Sequence, residues 1–361
     1  MDKKIQAALI GGSGFTGLEL IKLLSNHRYI DIPLVTSNTY KDQVISEAFP
    51  SFSGHNKLKN KNQAVYEATD AIGKKKLSSM DVVFLCLPPL ESMSFLKKNL
   101  QGFKGVIIDI GSDFRIKDPG DFKTWYGKEH ELKEEIAGFT YGLSEIYRES
   151  IIKSRRVANP GCYPTSVLLA AAPVLSDKDY TISNVIIDSK SGVSGAGRKL
   201  KNEYLYCGIN ENFFAYSALK HRHTGEIEQE FRNLSGRDIK VCFTPHMLPV
   251  SRGIFTSVYC NVTRNSKNKI SNEEIINMYQ DYYKDCQFIR ILGEKIPQLK
   301  DVTGTNYCQL GIAYDDRTAV LKVFSTIDNL LKGAAGQAVQ NMNLIFNFNE
   351  GEALNGQGIF S

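Results

Sequence analysis

The apolar run Ile5–Ile10 passes directly into Gly11-Gly12-Ser13-Gly14-Phe15-Thr16-Gly17, and then into a stretch where Leu18, Ile21 and Leu24 recur at helical spacing. Strand, glycine turn and helix in that order are half of a βαβ unit. Parallel strands need helical crossovers, so this opening commits the N-terminal part of the chain to a parallel sheet covered by helices. Apolar runs at "IPLVTS", "DVVFLCLPP" and "KGVIIDIGS" supply further strands, the last two separated by a helical stretch from Met93 to Leu100.

Beyond Cys162 the texture changes. "ISNVIIDSKSG", "DIKVCFTPHMLPV" and "RGIFTSVYCNVTR" are longer and rich in β-branched residues, with few helices between them, which predicts a mixed or antiparallel sheet. The expected architecture is α/β: a doubly wound parallel sheet domain followed by an α+β domain. A closing helix lies in "DNLLKGAAGQAVQNMNLIFNF". With 361 residues, 42% hydrophobic, the chain is long enough for two cores. No signal peptide or membrane span is expected. Seven cysteines without CxxC spacing suit a reducing compartment, and the expected location is the cytoplasm. A net charge of +5 is modest, and the lysine-rich "HNKLKNKNQ" and "IGKKKLSS" carry no interleaved aromatics. They read as solvated surface, so neither nucleic acid nor membrane is an expected partner.

Gly11, Gly14 and Gly17 sit where backbone N–H groups and a helix N-terminus can face a pyrophosphate. In NAD enzymes a carboxylate near the end of the second strand binds the ribose 2′-hydroxyl. Here that region holds Thr36, Ser37, Asn38 and Lys41, with no carboxylate, which favours NADP(H); "TSNTYK" is also an ordinary turn composition.

In "ANPGCYPTS", Pro164 and the apolar run after it place Cys162 at or just before a helix N-terminus, where a thiolate is favoured. On local sequence, Cys162 is either a nucleophile or a small residue at a cap. Cys86, Cys242 and Cys260 lie in strand-like runs and read as core; Cys207, Cys286 and Cys308 carry no signal. "HRHTGEIEQE" sets His221 and His223 ahead of a helix with Thr224 as N-cap and Glu226 in its first turn. Glu226 can orient His223 as a base, or simply complement the helix dipole. No ligand spacing for a metal accompanies these histidines. His27, His55 and His130 read as surface residues and His246 as structural. Two basic turns complete the candidates: "GSDFR" with Arg115, and "SGVSGAGRK" with Gly195, Gly197, Arg198 and Lys199, then Lys201. Such turns make concave anion sites, or are merely solvated.

Taken in order, "GGSGFTGLEL", "LCLPP", "GSDFR", "NPGCYPT", "SGVSGAGRK", "HRHTGEIEQE", "TPHMLPVSRGI" and "DNLLKGAAGQAVQNMNL" resemble the signatures of the N-acetyl-gamma-glutamyl-phosphate reductase family of arginine biosynthesis. The likeness runs the length of the chain. Its cysteine and histidine motifs differ from those of the related aspartate-semialdehyde dehydrogenases. The resemblance implies an NADP-binding Rossmann domain, residues 1–159 with 328–361, completed by the C-terminal helix, and a catalytic domain over 160–327. It implies Cys162 as nucleophile, His223 as acid/base with Glu226 behind it, and Arg115, His221, Arg198 and Lys201 around an acyl-phosphate substrate and inorganic phosphate. Cofactor contacts would come from Gly11, Ser13, Gly14, Phe15, Thr16, Gly17, Ser37, Lys41, Pro88 and Asn329. A homodimer or homotetramer is expected. Where the family commonly has Pro, this chain has Gly225, which puts the stiffness of that turn in question.

Overall fold

The computed structural model describes residues 4–53, 65–265, 269–356 and 358, so His55 and the lysine-rich stretch around it lie outside the described residues. The strands are β1 (Ile5–Ile10), β2 (Ile30–Val35), β3 (Val82–Leu85), β4 (Val106–Asp109), β5 (Thr140–Tyr141), β6 (Arg156–Ala158), β7 (Tyr180–Gly192), β8 (Phe214–Ala215), β9 (Val241–Leu248), β10 (Ile254–Arg264), β11 (Ile289–Ile291), β12 (Cys308–Asp315) and β13 (Val320–Ile327). The chain divides into two compact units. Of the described residues, one holds those up to Pro119, Lys128–Pro160 and Ala334–Asn355; the other holds Gly120–Gly127, those between Gly161 and Gly333, Gly356 and Gly358.

In the first unit the strand order is β2-β1-β3-β4-β6-β5, every pair parallel. β3 and β4 are buried at every position, as strands covered on both faces must be. The order reverses between β1 and β3, so the carboxyl ends of those strands open a crevice. The C-terminal helix Gly336–Ile345 packs on the helices Phe15–Asn26 and Ser144–Lys153, completing this unit from the far end of the chain.

The second unit carries a mixed sheet in the order β11-β12-β13-β10-β7-β9-β8, with β11–β12 and β7–β9 parallel and the other pairs antiparallel. The helix Cys162–Ser176 packs on β7, β10 and β13 and against the helix His223–Ser235. Its interior Pro173 has no N–H for the carbonyl of Leu169, and the Tyr283 hydroxyl donates to that carbonyl at 2.7 Å instead. The sheet's other face keeps a row of partly or fully exposed side chains in register, Cys242, Ile186, Tyr259, Lys322 and Ala313. Among the described residues, no helix is long and apolar enough to cross a membrane.

Several residues expected on the surface or in the core lie elsewhere. His27 and His130 are buried. His27 Nε2 meets Asn343 Oδ1 at 2.9 Å in the C-terminal helix, and His130 packs edge-on to Phe114 with Nδ1 accepting from the Leu132 N–H. Loop-like neighbours hide such tertiary partners. Cys242, expected in the core, is exposed because it falls on the open face of its sheet; Cys86, also expected there, sits just past β3 and is half-buried, whereas Cys260 is buried.

Candidate active site

In the first unit, the crevice beyond β1 and β3 is a cleft of about 560 Å³ lined by Gly11, Ser13, Gly14, Ser37 and Pro88 among others. Gly11 has φ +83°, and a Cβ there would stand 2.8 Å from the carbonyl oxygen of Cys86. At Gly17 a Cβ would press within 2.6 Å of Gly12, so the helix Phe15–Asn26 seats closely behind the turn, while Gly14 has nothing within 4 Å of its missing side chain. The turn therefore bares its backbone to the cleft at a helix N-terminus, a cradle that fits a pyrophosphate. Phe15 and Thr16 begin that helix.

Beyond β2 the structure differs from the sequence reading. Lys41 is not part of the cleft lining: the chain turns at Asp42, φ +62°, and leaves the Lys41 side chain 60% exposed. Lys98 lines the cleft in its place. A carboxylate also arrives from an unforeseen element, because the turn Thr69–Ala71 carries Asp70 to the Asn38 amide at 3.1 Å. Burial, then Asp113 and Asp70, raise the carboxyl of Glu91, which also lines the cleft.

Arg115 belongs to the same unit and is buried, with Nε donating to the Asn159 carbonyl at 2.7 Å and Nη2 to the Ile110 carbonyl at 2.9 Å. Nearby, Asp109 accepts from Ser92 Oγ and the Gly111 N–H. Burial and the neighbouring Asp113 nonetheless hold its carboxyl well above the usual carboxylate range.

In the second unit, Cys162 is the first residue of the helix Cys162–Ser176, with Gly161 as an extended N-cap and Pro164 in the first turn. The Thr165 N–H and Oγ1 both donate to the Gly161 carbonyl, at 2.9 and 3.0 Å. On its other side, Gly161 donates its N–H to Glu226 Oε1 at 2.8 Å, a carboxylate that is fully buried. Glu226 thus holds the peptide leading into Cys162, a role local sequence did not suggest. Its helix begins at His223, one residue ahead of the expected cap at Thr224.

Around this helix start the rings gather. His221 and His223 lie 4.8 Å apart by ring centroids, Tyr163 is 5.6 Å from the first and 5.9 Å from the second, and Tyr216 and Phe243 close on His221 at 5.7 and 5.4 Å. Burial, and secondarily Arg222, push His221 down to about 4, so it is neutral at physiological pH. Its Nδ1 accepts the His223 N–H at 3.2 Å, which leaves the ring proton on Nε2, a neutral donor. Tyr216 donates to Tyr163, and Tyr163 to the His246 carbonyl, at 3.1 and 3.2 Å. Both phenols are raised by burial, and proximity to Cys162 adds to that. Gly333 backs the cysteine so closely that a Cβ would meet Cys162 Cβ at 2.9 Å.

Arg198, Lys199 and Lys201 are exposed, with Lys201 Nζ 3.8 Å from Glu203. The turn before them is pinned by main-chain bonds from Val193 and Ser194 to Val250 and Ser251. Asn329 also belongs to the second unit: its Oδ1 accepts from the Gly253 N–H and its Nδ2 donates to Ser194 Oγ, joining two loops. Among the described residues, no group of three or more His, Cys, Asp or Glu could hold a metal ion.

A cysteine at the positive end of a helix, a neutral imidazole donor and a second imidazole beside it suit nucleophilic attack on an activated carbonyl followed by proton transfer. The chain matches the family described as semialdehyde dehydrogenase, NAD binding domain, over residues 6–154, and the one described as semialdehyde dehydrogenase, dimerisation domain, over 162–329. It is 42% identical over 357 residues to an N-acetyl-gamma-glutamyl-phosphate reductase of Pelotomaculum thermopropionicum, covering 99% of both chains. The enzyme of the same name from Caldicellulosiruptor saccharolyticus is 44% identical, with 96% of each covered. In fold it is similar to aspartate semialdehyde dehydrogenase II of Vibrio cholerae, at a TM-score of 0.70 and 17% identity, covering 96% of this chain and 99% of the other.

Proposed function

This chain belongs to the N-acetyl-gamma-glutamyl-phosphate reductase family of the semialdehyde dehydrogenases, and from that premise we propose that it reduces N-acetyl-gamma-glutamyl phosphate to the 5-semialdehyde with NADPH, in arginine biosynthesis in the cytoplasm. The observation that carries the reading is Cys162 at the start of its helix, with Glu226 on the Gly161 N–H and the two histidine rings alongside.

The Cys162 thiolate attacks the acyl carbon, the C–O bond to phosphorus breaks, and inorganic phosphate leaves a thioester on sulfur. The glycine turn, with Gly11, Ser13 and Gly14 lining its cleft, would hold NADPH, which when bound would supply the hydride that such a thioester needs. His223 protonates the oxygen formed at the former carbonyl and takes that proton back as the C–S bond breaks, which returns the thiolate and frees the aldehyde. Neutral His221 donates from Nε2 to substrate. Arg115 holds the phosphate, and Lys98, which lines the glycine-turn cleft, is a cation available to a 2′-phosphate. Because Glu226 occupies the Gly161 N–H, that group is not the oxyanion donor.

The open sheet face fits a second copy of the chain. Ile186 and the half-buried Phe255, Tyr259 and Phe324 lie together there, within the segment that matches a dimerisation domain.

Steady-state NADPH formation from N-acetylglutamate semialdehyde, NADP and phosphate tests the reaction, with N-succinyl and aminoadipyl analogues run beside it. Turnover should require phosphate or arsenate, and Cys162→Ser should abolish it while NADPH binding persists. Sustained NADPH formation with neither anion present would instead mark a hydrolytic aldehyde dehydrogenase.

A further inference from the structure

A chain of buried polar side chains runs through the first unit and ends at Arg115. Gln337 donates Nε2 to Ser144 Oγ at 2.7 Å, and Ser144 donates to Asn341 Oδ1 at 2.7 Å. Asn341 then donates Nδ2 to the Gly142 carbonyl at 2.8 Å and to Asn159 Oδ1 at 3.1 Å. Asn159 is held at every polar atom: its N–H goes to the Asp109 carbonyl, its Nδ2 to the Ala334 carbonyl, its Oδ1 takes Asn341, and its carbonyl takes Arg115 Nε at 2.7 Å. Ser144, Asn159, Gln337 and Asn341 are all essentially inaccessible to solvent.

Asparagine and glutamine are expensive to bury, and an apolar interior would seat the helix Gly336–Ile345 equally well. What the polar chain adds is direction. The Asn159 carboxamide is clamped between Ala334 and Asn341, which holds its main-chain carbonyl in place, and that carbonyl on Nε together with the Ile110 carbonyl on Nη2 fixes the plane of the Arg115 guanidinium. A planar donor recognises a tetrahedral anion only if its plane is held.

We propose that Asn341, on the C-terminal helix, is a positioning residue for Arg115, acting through Asn159. The proposal rests on the reading of Arg115 as the group that holds phosphate. It explains why a helix from the far end of the chain completes this unit: it brings the amide that fixes the arginine.

The test compares Asn341→Ala and Asn341→Asp with Asn343→Ala, a buried neighbour on the same helix that bonds His27 and the carbonyls of Glu350 and Glu352 rather than Asn159. Each full-length variant is assayed for KM of phosphate and of NADP. In parallel, the Arg115 Nε–H resonance, assigned by its loss in Arg115→Lys, is followed for solvent exchange and for its shift on adding inorganic phosphate. Both Asn341 variants should raise KM for phosphate about tenfold, the worth of roughly one hydrogen bond, and leave KM for NADP within about twofold. They should also speed exchange of the Arg115 Nε–H, while Asn343→Ala moves neither. Unchanged phosphate KM and exchange in the Asn341 variants, or an equal effect from Asn343→Ala, overturns the proposal. A wild-type resonance indifferent to phosphate, yet exposed by Asn341→Ala, overturns the phosphate role of Arg115 and supports the positional link.

Discussion

At Gly161 the N–H just ahead of the Cys162 helix goes to a buried carboxylate on a different helix, Glu226. A buried donor stripped of its acceptor costs about 1 to 3 kcal/mol. Glu226→Ala should therefore lower stability by that amount and kcat as well, whereas Glu226→Gln, which keeps an acceptor oxygen, should be milder; urea denaturation and steady-state kinetics separate them. His221 carries a second residue-scale consequence. Its folded value of about 4 lies below the ordinary 6.5, so the unfolded chain binds more protons between those pH values. Stability from this group is complete above about pH 6.5 and is lost as pH falls toward 4. Urea midpoints measured across that range should fall less steeply in His221→Asn than in wild type. Asp109 has the opposite sign, since its raised carboxyl favours the folded state at lower pH, so the His221 contribution is read from the difference between the two proteins.

Among the elements, two contacts replace something the chain lacks. Pro173 cannot bond the Leu169 carbonyl, and the Tyr283 hydroxyl does so from the helix Asn272–Tyr283. Tyr283→Phe should cost about 1 to 3 kcal/mol, because it leaves a buried carbonyl unsatisfied without removing the ring. At Gly225, where the resemblance led us to expect proline, the absent side chain makes room for the indole of Trp125, which would stand 2.2 Å from a Cβ. Trp125 thus fills the space that a side chain at 225, in the first turn of the helix His223–Ser235, would take. Gly225→Ala should destabilise by about 1 to 3 kcal/mol through overpacking. Adding Trp125→Ala should recover part of the loss, and a thermodynamic cycle on the four proteins measures the coupling.

For the molecule as a whole, the mixed sheet has helices on one face, and on the other Ile186, 49% exposed, lies with Phe255, Tyr259 and Phe324. If a second copy covers that face, Ile186→Glu buries a charge at the contact and should convert the assembly to monomers by light scattering, with the far-ultraviolet spectrum unchanged. An unchanged molar mass would place the subunit contact on another surface. The exposure of Cys242 has the same cause: its strand alternates as expected, and Cys242 falls on the face of the sheet opposite the helix Cys162–Ser176.

Local physics was enough for much of this protein. The parallel sheet followed from the strand, glycine turn and helix at residues 5–26, the helix start at Cys162 from Pro164 and the apolar run, and the mixed sheet from long β-branched segments; each depends on steric and periodic rules that act within a few residues. Contacts between residues far apart were beyond those rules. Lys98 lines the cleft from beyond β3, Lys41 is exposed beside a turn at Asp42, and Asp70 reaches Asn38 from a separate turn. Glu226 meets Gly161 across 65 positions, and Asn341 meets Asn159 across 182. A hydrogen bond at that separation leaves no periodicity in the chain: both partners are ordinary polar residues until folding buries them and obliges each to find the other.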